Sequence, residues 1–385
     1  MTSAVPFTIQ KPMRVVKVRT TLDHHRFRAG LGIGLEPEHY PDWFDRFDEV
    51  LRSSSWFHPY LKRTPHRRWI LRSQGKTIGR IMAMHPKDGP SRFGFYNCID
   101  SPEAAHALTH AAETWTRCGG SELLIGPFNP SIHDECGLLE YRSCSNLYGY
   151  PQTPQHYIRN LEACGFNCAK RLLTFLQADE RNALRLQLRM GPLLKVMPQQ
   201  GLQLEVAKWS TLDRNCEWVE TLINQCWSNN WGFEPISRAE ARNLVLKVLT
   251  MLPKGVLSFI SLHGRPVAIC LGIPNAKEIA SNLNPKLGIL NLPMLLLRLR
   301  RCQCEHGRIA LLGVIPELQG SQVSLIASIA MLSHLINTGL AFGSSSASMG
   351  WILEDNQAMI RFLKLYGGEQ VMSHLIMAKS LDRPG

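Results

Sequence analysis

No stretch of this sequence reaches the roughly 18 consecutive apolar residues that a helix needs to cross a membrane. The start, Met1-Thr2-Ser3-Ala4-Val5-Pro6-Phe7, has no basic region followed by an apolar core, so no secretory leader is expected. Paired C-x-x-C motifs are missing too. The eleven cysteines are odd in number and scattered, which fits reduced thiols in cytoplasm better than a disulfide framework. The one cluster of metal character, Cys302-Gln303-Cys304-Glu305-His306, lacks a fourth ligand at zinc-site spacing, so no metal is expected.

Charge is sparse and unevenly signed. Only 19% of residues are charged, against 44% apolar, the balance of a globular chain with proper cores. At 385 residues the natural division is two domains. Lys and Arg number 43 against 31 Asp and Glu, a net +12 and a pI near 9.3. That balance favours anionic partners: nucleic acid, an acidic membrane face, or phosphorylated substrates.

Along the chain, a β-rich run at Val15–Thr20 precedes polar helical material to about Arg52. Trp69–Arg72 and Thr77–Ala83 read as a hairpin turning at Gln74-Gly75-Lys76. A strand at Phe93–Ile99 leads to a helix opened by Ser101-Pro102, with Ala105, Leu108, Ala112 and Trp115 on its buried face. Leu123–Pro127 is a short strand, His156–Cys164 a helix and Leu172–Leu176 a strand. A basic linker at 181–200 sets the boundary between domains at 13–180 and 201–382. The second half repeats the order, with a hairpin at Val256–Leu262 and Val267–Gly272 turning at His263-Gly264-Arg265.

Its centre is the apolar run Ile309–Val314, a Pro/Gly turn, and a helix whose Leu325, Ile329, Leu332 and Ile336 share one face. Gly339 is its expected cap. A strand feeding a helix through a tight turn aims backbone N–H groups and the positive helix end at one spot, suited to a phosphate. A closing strand is expected near Gln370–Lys379. Ile158–Gly165 and Ile360–Gly367 share four of eight residues, and the hairpins match in order, so the chain reads as a duplicated α+β unit.

The hairpin, the strand–turn–helix and the final helix–Gly–strand resemble the GNAT acyltransferase superfamily. More closely, the chain resembles the tandem GNAT proteins of the bacterial ceramide synthase-like group over nearly its whole length. The pieces are Gly79-Arg80-Ile81-Met82-Ala83, Gly126-Pro127-Phe128-Asn129 with Asp134-Glu135-Cys136-Gly137-Leu138-Leu139, Tyr157 with Gly165-Phe166, Asn230-Trp231-Gly232-Phe233-Glu234-Pro235, Gly313-Val314-Ile315-Pro316-Glu317, and Trp351-Ile352-Leu353-Glu354-Asp355-Asn356. The resemblance implies an α+β fold of two tandem GNAT-like domains, each a mixed, mostly antiparallel sheet flanked by helices. The first domain, with Asp100-Ser101-Pro102-Glu103 after its third strand, lacks the pyrophosphate turn.

It also implies an N-acyltransferase that moves an acyl group from acyl-CoA, as co-substrate rather than resident cofactor, to a lipid-like or secondary-metabolite amine. Acyl-carrier protein is the alternative donor. The pyrophosphate position matches Gln319-Gly320-Ser321-Gln322-Val323-Ser324, where Gln322 stands in place of a usual glycine, and Val314 and Asn356 complete the implied cofactor contacts. A tyrosine acid four residues before the last helix's glycine is replaced by Leu363. Two other readings remain: an aminoacyl-tRNA-dependent transferase of duplicated GNAT-like type, in which nucleic acid would be a partner, and a non-catalytic lipid- or partner-binding paralogue.

Amine acylation needs a base, oxyanion donors and a proton for the leaving thiolate. Glu354 and Asp355, at a strand end, are candidate bases, although Asp355 or Asn356 also suits a helix N-cap. His133 and Glu135 are candidates on a loop with Asp134, which surface polarity would equally explain. Asn129, Asp134, Trp231 and Phe233 are candidate substrate contacts; the aromatics, with Trp227, either line an acyl channel or fill core. Leu287–Arg301 is apolar and basic-tipped. It is either a buried connecting helix, the reading preferred here, or a segment resting on an anionic membrane, which would make a cytoplasmic protein peripheral to the inner membrane face.

Overall fold

The structure is a computed structural model that describes residues 12–35, 41–144, 147–178, 188, 191–192, 194–302, 304–365 and 367–381; Tyr366 and half of the 181–200 linker lie outside them. Two compact units divide the chain. Unit 1 is Met1–Arg142, Gly149–Leu172 and Ser373–Gly385, and unit 2 is Ser143–Tyr148 and Leu173–Met372. The closing strand, which the expected ranges put with the second domain, therefore lies with unit 1 from Ser373 onward, and Leu173–Gln177 lie with unit 2.

Up to the linker the elements are β1 (Arg14–Lys17), α1 (Thr21–Ala29), α2 (Trp43–Ser53), α3 (Pro59–Arg63), β2 (His66–Ser73), β3 (Lys76–Met84), β4 (Ser91–Cys98), α4 (Pro102–Cys118), β5 (Leu123–Gly126), β6 (Phe128–Asn129), β7 (Glu135–Cys136), β8 (Leu138–Arg142), α5 (His156–Ala163) and β9 (Asn167–Gln177). After it come β10 (Leu202–Val206), α6 (Leu212–Cys226), α7 (Arg238–Met251), β11 (Leu257–Leu262), β12 (Arg265–Pro274), α8 (Ala276–Ser281), α9 (Leu292–Arg301), β13 (His306–Val314), α10 (Gln322–Ala341), β14 (Ser346–Leu353), α11 (Gln357–Leu365) and β15 (Glu369–Ser380).

In unit 1 the sheet runs β1-β2-β3-β4-β5-β15, antiparallel except where β4 meets β5. Gln74 (φ 50°) and Gly75 (φ 80°) both take the left-handed conformation, the geometry that lets a two-residue turn follow the twist of its strands. Ser101 caps α4 by accepting the Ala104 N–H (3.1 Å), and Ala105, Leu108 and Ala112 bury against Trp69, Ile81 and Phe93. Behind this layer Arg80, 1% exposed, donates to Glu49 (2.5 Å) and Asn97 (2.7 Å), and Asn97 donates to Tyr157 Oη (3.2 Å).

Unit 2 repeats the plan in the order β14-β13-β12-β11-β10, with His263 (φ 49°) and Gly264 (φ 84°) at its hairpin. Trp227, just after α6, packs at Gly313 on one face; α10 packs at Gly272 through Leu335 on the other. The expected helix face is corrected. Ile329 and Leu332 are buried as expected, but Leu325 is 45% exposed, and Ile326, Ala327, Ala330, Met331 and Leu335 widen the buried face. The cap is corrected as well: α10 runs through Gly339 to Ala341, and the left-handed glycine is Gly343 (φ 83°). By length and composition α10 would cross a membrane; here its buried stripe makes it a core helix of unit 2.

Removing one member of the buried ion pair leaves the other charge unpaired in the interior. Arg80→Ala is expected to lower the unfolding free energy by about 3–5 kcal/mol, read from urea denaturation.

Candidate active site

β13 and β14 are parallel and pair only from His306↔Ser346 to Ile309↔Met349. The cause of their separation lies in β13. It meets β12 as Gly272↔Ile309 and then Leu271↔Leu311, so Ala310 has no partner and forms a bulge. A bulge bends its strand and sharpens the twist, which turns residues 310–314 away from 350–353. The gap is a cleft of about 580 Å³.

Gln319, Gly320, Ser324 and Ser328 line one wall of this cleft, Trp227, Asn229, Asn230 and Trp231 another, and Gly350–Leu353, Asp355 and Asn356 a third, with Met359 and Phe362 of α11 behind. The turn is braced from within. Gln319 Nε2 donates to the Val314 carbonyl (3.1 Å), and Ser321 Oγ donates to Leu318 O (2.6 Å) while accepting the Ser324 N–H (3.2 Å). Gly320 is left-handed (φ 78°) with open space beyond it. The N–H groups of Gln322 and Val323 belong to a first helical turn, which has no carbonyl of its own to bond them, and the helix dipole adds partial positive charge there. The Gln322 side chain is exposed and lies outside the lining.

Asp355 is exposed and lines the cleft, whereas Glu354 beside it is half-buried and does not. Asn356 lines the cleft and caps α11, accepting the Met359 N–H (3.1 Å). Phe233 packs half-buried against the unit 2 core. Burial pushes the Cys226 thiol up to about 12, so this cleft cysteine stays protonated and is no nucleophile at neutral pH. Sequence reasoning missed Ser328, Met359 and Phe362. A signal existed for the first: Ser324 and Ser328 lie four residues apart, the spacing that sets both on one helix face.

The other candidates belong to unit 1. Asp134 accepts from Ser131 Oγ (2.6 Å) and faces His58 Nε2 (3.2 Å), and the His133 N–H donates to Ser131 Oγ (3.2 Å). Glu135 pairs with Arg52 (2.5 Å), and burial raises its carboxyl above the ordinary range against that arginine's pull. Asn129 accepts the Phe95 N–H (2.6 Å). This bond shows how unit 1 departs from unit 2. β4 and β5 pair at Ser91↔Leu124 and Arg92↔Ile125, after which residues 126–129 stay against β4. A Cβ on Gly94 would stand 1.6 Å from Phe128 O, and one on Gly126 would stand 2.2 Å from Phe93 O. Backbone fills the place that is open in unit 2.

No family model matches the chain. Among solved structures it aligns with a tandem GNAT protein from the clavulanic acid biosynthesis pathway, at TM-score 0.54 and 13% identity, covering 97% of this chain and 100% of that one. A GCN5-related N-acetyltransferase from Sphaerobacter thermophilus gives TM-score 0.51 and 12% identity, over 97% and 96%. The fold of this chain, two α+β units in tandem, is that of these tandem GNAT structures. The chain is a homologue of the bacterial ceramide synthase of Caulobacter vibrioides, 25% identical over 96% of this chain and 98% of that protein. Protein YghO of Escherichia coli is 26% identical over 94% and 95%.

Gly313 admits the Trp227 ring, since a Cβ there would meet it at 2.6 Å. Gly313→Val is expected to displace the indole from the cleft wall and lower the unfolding free energy by about 1–3 kcal/mol, read from urea denaturation against the parent protein.

Proposed function

We propose that this chain transfers an acyl group from acyl-CoA to the amine of a lipid-like acceptor, forming an amide. The observation that carries the reading is the cleft opened by the Ala310 bulge, with Gln319, Gly320 and Ser324 at the start of α10 on its wall. The positive end of a helix suits a pyrophosphate, and the splayed strands leave backbone groups of β13 and β14 for an extended ligand lying between them.

An apolar pocket of about 140 Å³ adjoins the cleft and shares Ile309, Met349, Phe362 and Leu363 with it. Leu332, Leu335, Ile336 and Leu340 of α10 complete a lining suited to an acyl chain. The name of the homologous ceramide synthase supports a lipid amine as acceptor. In the reaction the amine nitrogen attacks the thioester carbonyl carbon. Asp355, the carboxylate that lines the cleft, takes the ammonium proton, and the carbon–sulfur bond breaks to release CoA as thiolate, which a proton then neutralises. A thioester is reactive enough that positioning and deprotonation supply most of the rate.

In a thermal-shift series with CoA, acetyl-CoA and palmitoyl-CoA, the long thioester is expected to raise the melting temperature most. A ligand at about 100 times its Kd adds ~2.7 kcal/mol. Gly320→Asp sets a carboxylate where the pyrophosphate would lie and should abolish the shift; an unchanged shift would move the donor site elsewhere. Asp355→Asn is expected to lower kcat by about 10²–10⁴ with the shift retained, and Glu354→Gln to leave kcat near normal. Ile336→Trp should favour shorter acyl chains in a thioester-length series.

A further inference from the structure

The segment 285–301 holds Lys286, Arg298, Arg300 and Arg301 and no carboxylate. The structure overturns burial as its main reading. Leu295 and Leu299, each 1% exposed, fasten α9 to unit 2, but the opposite side is bare: Leu287 is 48% exposed, Ile289 66%, Leu290 74%, Met294 48%, Leu296 38% and Leu297 43%. This apolar face is held in place rather than trailing in solvent. Asn291 Nδ2 donates to Asn284 O (2.8 Å), Arg298 to Asn282 O (3.1 Å) and Arg300 Nε to Thr250 O (2.7 Å). A kink at Gly288 (φ 50°, ψ −124°) sets Leu287 and Ile289 beside the helix.

We infer that residues 287–297 are a membrane-docking element that dips its apolar side chains into the headgroup region of an anionic bilayer, with Arg298, Arg300 and Arg301 meeting lipid phosphates. Six exposed large apolar side chains within eleven residues form a patch that water alone does not explain. The charge selects the occupant. A second copy would meet this one through the same patch on both chains, setting four cations against four with no carboxylate between them. An acidic lipid surface supplies the complementary charge, about 1 kcal/mol for each basic residue near it. Cys302, which follows α9, lines the apolar pocket described above, so docking would bring that pocket close to lipid. The inference stands whether or not the acyl-transfer reading does, because its test needs no thioester.

The full chain would be spun with sucrose-loaded vesicles of phosphatidylcholine alone and of phosphatidylcholine with about a third phosphatidylglycerol. Pelleting with the anionic vesicles, weakened by salt, is expected. Ile289→Asp with Leu290→Asp should lower vesicle affinity at least about tenfold at an unchanged melting temperature, as both side chains are exposed. Arg300→Glu with Arg301→Glu should remove the preference for phosphatidylglycerol. Equal pelleting of the aspartate variant and the parent would overturn the inference. So would absence of vesicle binding together with a dimer on size exclusion that the aspartate variant dissolves, which would make a second copy the occupant.

Discussion

Two parallel strands joined by a crossover helix stay together only while both keep register, and β13 loses its register at Ala310. The rest of unit 2 accommodates that one residue. Strands that part after four paired positions would leave backbone groups unmet, a costly state in a buried sheet. Here they face a cleft, and Trp227 covers Gly313 from one side. The turn from Ile315 to Ser321 then has two tasks: it closes the open end of β13, and it starts α10 so that Ser324 and Ser328 line the same cavity.

The duplication makes the constraint visible by contrast. Unit 1 has the matching hairpin, strands and crossover helix, yet residues 126–129 follow β4 and Asn129 occupies the Phe95 N–H. The same plan therefore yields a filled seam in one unit and an open one in the other. Gly94 and Gly126 permit the filled form, since backbone atoms stand where their side chains would be. In place of a cleft, unit 1 has a buried polar chain from Glu49 through Arg80 and Asn97 to Tyr157, whose satisfied bonds hold α2, β3, β4 and α5 in one arrangement.

What was legible in the sequence was local. The two hairpin turns rest on residues that accept positive φ; Ser101 and Ser321 signal helix starts; Gln319, Gly320 and Ser324 lie within one turn of each other, so their convergence needs no distant contact. Asp355 and Asn356 were legible on the same ground, although capping and lining could not be told apart until α11 was placed. The loop around His133 was readable as polar but not as a network with Arg52 and His58, which lie some 80 residues away. Leu325 misled because apolar residues run around most of α10, and only packing decides which of them stay exposed.

By itself the sequence determined the element types, the doubled α+β plan and the strand–turn–helix, because each follows from periodicity, capping chemistry or the conformational freedom of glycine over a few residues. Tertiary structure alone decided the rest. It placed the bulge at Ala310, which exists only relative to a partner strand, and it closed the seam in unit 1. It assigned the last strand to the unit where its apolar face finds a core. It also turned the leucine-rich segment 287–297 outward, since the helix face that Leu295 and Leu299 bury is chosen by what lies beneath it, a fact no local pattern contains.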